Sequence, residues 1–129
     1  MDEQKTNAQN TNAPRVDAEE ILDGIRQWVE IETPTHDGEA VNRLADVVEE
    51  SMRSLGALIE RTPGSDGFGD ILKTRTPWGG DGPGILVLSH LDTVHPTGSL
   101  EEYNPWRREG DSVFGPGIYD MKAGAYLAY

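Results

Sequence analysis

The chain contains no cysteine, which excludes a disulfide framework and removes the thiolate as a nucleophile or metal ligand. Any metal must be held by His, Asp and Glu. Basic residues are scarce: 11 Lys and Arg stand against 23 Asp and Glu, for a formal charge of -12. Such a charge repels phosphate backbones and anionic membrane surfaces, so neither nucleic acid nor membrane is an expected partner. No stretch approaches the roughly 18 apolar residues of a membrane span, and the opening MDEQKTNAQNTNAPR lacks the basic start and apolar run of a secretory signal. The expected location is cytoplasmic. At 129 residues the chain is long enough for one domain, which would bury roughly two thirds of the surface its unfolded form exposes.

Residues 1–15 are polar and rich in Asn, Gln and Thr, with too little apolar surface to offset the entropy of ordering them. They are expected to form a disordered tail. From Asp17 onward Ile21, Leu22, Ile25, Trp28 and Val29 recur at the spacing of one helical face, with Asp17 as a cap and Glu20 three residues on. The run TPTHDG interrupts this pattern. A second helix is expected over 39–55, with Val41, Leu44, Ala45, Val48, Met52 and Leu55 as its apolar stripe and Gly56 in the left-handed cap position.

LIERT and ILKTRT are short, partly alternating runs between the turn compositions PGSDGFGD and PWGGDGPG, and they predict outer strands. ILVLS is apolar on both sides of the pleat, which predicts a central strand covered by helices on both faces. His90 would sit where that strand ends. WRREGDSVFG predicts two short strands around a Glu-Gly-Asp turn, and residues 121–129 begin another helix. The pattern as a whole predicts an α/β fold, a mixed sheet flanked by helices.

Two segments carry chemistry. In an extended SHLDTV, His90 and Asp92 point to the same side, so the carboxylate can fix the tautomer and orientation of the imidazole. A neutral imidazole held in that way is a good metal ligand or base, although the same residues also suit a polar turn after a strand. In GPGIYDMKAG, Gly115 and Gly117 allow close backbone approach ahead of Asp120, which could equally be a plain helix cap. The glycine spacing fits neither a dinucleotide nor a Walker phosphate loop. Of the other histidines, His36 reads as a solvated loop residue and His95 as a residue lining a cleft rather than a ligand. Trp28 and Met52 fall on helical stripes and read as core. Tyr103 and Trp106 read as loop aromatics that either cover the cleft or pack beneath it, and Lys122 as a solvated or helix-stabilising lysine.

Together, SHLDTV and GPGIYDMKAG closely resemble the M20 family of zinc-dependent peptidases and deacylases. The Gly-Pro-Gly before Asp120 is most similar to its glutamate carboxypeptidase branch. The resemblance implies that His90 is a zinc ligand, that Asp92 orients its imidazole, and that Asp120 bridges two zinc ions. It implies a hydrolase that cleaves the amide bond to a carboxyl-terminal amino acid, with glutamate favoured, acting on a small peptide or N-acyl amino acid. Two zinc ions would polarise the carbonyl and activate a bridging water, and a glutamate would take that water's proton.

Members of the family run to about three times this length, in the range of two domains. The Glu-Glu pair, further acid and late His that the resemblance calls for have no counterpart after Asp120. Residues 16–129 are therefore expected to be the amino-terminal portion of an M20-type catalytic domain, a fragment lacking the general base and inactive alone. The whole protein is expected to form a homodimer through a missing domain. An N-acyl amino-acid deacylase of the same family is the alternative within enzymes. A non-catalytic acidic interaction module is the alternative outside them.

Overall fold

The computed structural model describes residues 15–129. Of the expected polar tail only Arg15 falls within this range, where it pairs with Asp17 at 3.0 Å; the remainder lies outside the described residues. Helix α1, Ala18–Val29, starts at Asp17, whose carboxylate accepts from the backbone N–H groups of Glu19 and Glu20 and so satisfies two donors that the helix leaves unpaired. Helix α2, Gly38–Ser54, is capped in the same way by Asp37. Gly56 follows with φ of 79°, the left-handed conformation expected there. The buried stripe Ile25, Trp28 and Val29 of α1 and the stripe Val41, Leu44, Ala45 and Val48 of α2 form most of the core. Trp28, Leu44 and Val48 cluster with Ala125, and Ile31, Met52, Leu72, Leu91 and Tyr126 pack around them.

Strands β1, Leu58–Thr62, and β2, Ile71–Arg75, form an antiparallel hairpin in which Leu58 faces Arg75. Arg61 clips this hairpin to α2: its guanidinium reaches Asp46 at 2.6 Å, Glu49 at 3.0 Å and Asp70 at 2.6 Å. A four-residue helix α3, Ser99–Glu102, precedes a second antiparallel hairpin of β3, Arg107–Glu109, and β4, Ser112–Phe114. The kinked segment Ile118–Lys122 then leads into helix α4, Ala123–Ala128.

Helices and strands are thus both present, but among the described residues the sheet is not the expected mixed one. It consists of two separate two-stranded hairpins. Residues 85–89, expected as the buried central strand, form no regular element and are unpaired, with Leu86 80% and Leu88 79% exposed. Placement of His90 at the end of a central strand therefore fails. An apolar run becomes a central strand only when neighbours supply hydrogen bonds on both edges and cover on both faces. Here each hairpin strand is bonded to its own partner, and the approach through Gly79, Gly80, Gly82 and Gly84 runs through open space.

The segment that follows is held by other means. Pro34 forms a parallel bridge with Thr93: the N–H of Thr93 donates to the carbonyl of Thr33 at 2.8 Å, and the N–H of Thr35 donates to the carbonyl of Thr93 at 3.0 Å. Gly117 packs against Thr93 with φ of 69°, and a Cβ there would run into Thr93 Cγ2. Replacing Gly117 with alanine should cost about 2 kcal/mol or more, from the left-handed backbone and the overlap together. Gly82→Ala, at a site with nothing within 4 Å, should change stability by less than about 0.5 kcal/mol. Urea unfolding of the two variants checks this, and equal losses would overturn the packing account.

Candidate functional site

His90, Asp92 and Asp120 gather at one place, although Asp120 lies 30 residues beyond His90. The Nε2 of His90 is 2.8 Å from Asp120 Oδ1. On the other side of the ring, Nδ1 lies 2.9 Å from the carbonyl oxygen of Asp92 and 3.3 Å from its Oδ1. Both ring nitrogens face oxygen acceptors, so the imidazolium is the form that satisfies both without a metal. Partial burial opposes protonation, but the hydrogen bonds to Asp120 and Asp92 and the charges of the two carboxylates outweigh it and raise the His90 pKa.

A cation that replaced the Nε2 proton would be held between an imidazole nitrogen and a carboxylate oxygen, donors that suit zinc. Asp92 cannot join it, because its carboxylate faces the opposite ring nitrogen. Among the described residues no group of three or more His, Asp and Glu is arranged so that it could hold a metal ion. His90 and Asp120 thus fit part of a zinc site, one short of the three protein ligands of an open catalytic site. The side chains of His90 and Asp120 are accessible, 44% and 78% exposed respectively, so a reacting molecule could approach them.

Residues outside the two motifs complete the surroundings. Thr35 Oγ1 donates to Asp92 Oδ2 at 2.6 Å, and Thr33 Oγ1 donates to the carbonyl of Leu91 at 2.7 Å. By composition TPTHDG marks only a break between helices. The available signal was Thr-Pro-Thr itself, since a residue before proline is pushed to extended conformation and alternate residues then share a side. His36 is exposed and lies against Phe68, with ring centroids 5.3 Å apart. His95 is half-buried, and its N–H donates to Thr93 Oγ1 at 3.3 Å. Tyr103 is exposed, with its hydroxyl 2.6 Å from Ser99 Oγ, and Trp106 is half-buried beneath Arg26.

No family model matches the chain. Over 106 residues, 81% of its length, it is 35% identical to carboxypeptidase G2 of Pseudomonas sp. (strain RS-16). That stretch takes in 25% of the relative, so the chain spans about a quarter of the length of the curated protein it matches. The chain is accordingly similar to one portion of a carboxypeptidase. Among the described residues no helix is long and apolar enough to cross a membrane.

Lys122, expected to be solvated or to stabilise a helix from its surface, is instead 0% exposed. Its Nζ donates to the carbonyl of Ile31 at 2.6 Å, tying the segment after Asp120 to the end of α1. The expectation failed because one residue of sequence gave no sign that an orphan carbonyl would lie within reach of the ammonium. Burial pushes the Lys122 pKa down to about 8, against the opposing pull of Glu32. Burial alone would raise the Glu32 carboxyl, but the N–H groups of Gly98, Leu100 and Ser99, with the Lys122 charge, hold it below its usual value.

Because the folded pKa of Lys122 lies below the ordinary lysine value of 10.5, the unfolded chain binds its proton more tightly, and stability rises with pH across that interval. The cost of keeping the buried ammonium charged is fully present below about 8. Relative to a Lys122→Met variant, the protein should gain about 3 kcal/mol between pH 8 and 10.5. Urea unfolding across that range checks the difference, and parallel curves for the two proteins would contradict it.

Proposed function

We propose that the chain is part of a zinc-dependent hydrolase that cleaves the amide bond to a carboxyl-terminal amino acid, with glutamate the expected leaving residue. The observation that carries this reading is the approach of His90 Nε2 to Asp120 Oδ1 at 2.8 Å from two separate segments. The similarity to part of carboxypeptidase G2 supports the reaction class. In this reading His90 and Asp120 are zinc ligands and Asp92 orients the imidazole from its Nδ1 side. Zinc, when bound, supplies a Lewis acid for the scissile carbonyl and lowers the pKa of a bound water. This chain's residues set the geometry: Asp92 keeps the Nδ1 proton in place, and Asp120 presents its carboxylate to the same face of the site as Nε2.

The remaining ligands and a glutamate base come, in this proposal, from further polypeptide, so the chain by itself binds zinc weakly and does not turn over. The test is to read the coding sequence on from Tyr129, express both lengths, and measure zinc content and release of glutamate from an amide-linked substrate. The longer protein should bind zinc tightly, and a chelator should abolish its activity. His90→Ala and Asp120→Ala should each weaken zinc by more than the roughly 10- to 100-fold typical of losing an outer partner of a ligand. Full activity in the 129-residue chain would overturn the reading. So would a zinc-loaded longer protein inactive on both glutamyl and N-acyl amino-acid amides, or a stop codon directly after Tyr129.

A further inference from the structure

We infer that Thr35 is the positioning residue for the Asp92 carboxylate, and that through Asp92 it determines which nitrogen of His90 is left free on the Asp120 side. The significance of that free nitrogen rests on the zinc reading above, but the placement of Thr35 does not. Its backbone is fixed independently of its side chain. The N–H of Thr35 donates to the Thr93 carbonyl and the N–H of Thr93 to the Thr33 carbonyl, on either side of Pro34. Thr33 and Thr93 are themselves buried. A β-branched side chain on a backbone so fixed has few rotamers available.

The Thr35 hydroxyl has one proton and two acceptors in range, Asp92 Oδ2 at 2.6 Å and the Thr93 carbonyl at 3.0 Å. The shorter bond goes to the charged oxygen, as expected for a charge-assisted pair. With Oδ2 engaged, Asp92 turns Oδ1 toward His90 Nδ1 at 3.3 Å, beside its own carbonyl oxygen at 2.9 Å. Both of these atoms accept only, as does Asp120 Oδ1 at 2.8 Å from Nε2. A neutral ring therefore divides its proton between the two nitrogens, and the two acceptors at Nδ1 against one at Nε2 bias it toward Nδ1. Without the hydroxyl, the Asp92 carboxylate is free to rotate away from the ring. The carbonyl alone then opposes Asp120, which draws the proton toward Nε2.

The test compares Thr35→Val, which keeps the shape and loses the hydroxyl, with Thr35→Ser, which keeps the hydroxyl. Nitrogen chemical shifts of the labelled imidazole of His90 are recorded without metal, at a pH where the ring is neutral. The ratio of Nδ1-protonated to Nε2-protonated ring should fall roughly fivefold in Thr35→Val, the scale of one net hydrogen bond, and Thr35→Ser should restore it. An unchanged ratio in Thr35→Val, or an equal change in Thr35→Ser, would overturn the assignment. Circular dichroism verifies that each variant is folded, and Thr35→Ala replaces Thr35→Val if the latter is not. Because the measurement contains no metal, it decides the role of Thr35 whichever way the zinc experiment falls.

Discussion

Two backbone hydrogen bonds to Thr93, one donated by its N–H to Thr33 and one accepted by its carbonyl from Thr35, are the constraint on which the candidate site depends. They join the connection between α1 and α2 to a stretch 58 residues later. Once that closure is made, His90 and Asp92 have a fixed origin even though the run before them is unpaired. The other side of Thr93 receives Gly117, which sets the start of the kinked segment bearing Asp120. One buried threonine therefore links three stretches of chain, each contributing a polar group to the site. None of the three is part of a regular sheet, which places the rigidity of the site in side-chain and backbone clips rather than in strand pairing.

The scarcity of basic residues makes each internal cation conspicuous. Arg61 gathers three carboxylates from α2 and from the hairpin region, and Lys122 sits behind the Asp120 segment with Glu32 close enough to act on it electrostatically. Arg108 reaches Glu19 at the start of α1 from β3. Exposed pairs of this kind contribute little individually, and the Arg108 contact belongs to that class. Lys122 differs because its ammonium has left water, so loss of its single carbonyl partner would leave a buried charge uncompensated.

Much of the architecture was legible because local signals and tertiary packing agree. The Asp17 cap, the apolar stripes of α1 and α2, the Gly56 stop and the turn between β3 and β4 each depend on a few neighbouring residues. Residues 85–89 were misread for the opposite reason: their composition records a preference for burial on two sides, while the partners that would satisfy it lie elsewhere in space. At the candidate site, His90, Asp92 and Asp120 stood out through motif spacing, and the structure brings all three together. Thr35 and Lys122 act over distances of 57 and 91 residues along the chain, and no window of sequence contains both ends of either contact.

The open run Ile85, Leu86, Val87 and Leu88 has a colloidal consequence. It is apolar, uncharged, unpaired and accessible, the combination that invites strand addition between molecules. What opposes such encounters is the net charge of -12 carried by every copy. That repulsion is long-ranged only in dilute electrolyte; at physiological ionic strength it is screened beyond about 8 Å. The acidity of the chain and the bareness of this strip are therefore coupled: salt, which leaves the buried core untouched, removes the barrier that keeps the strips of separate molecules apart.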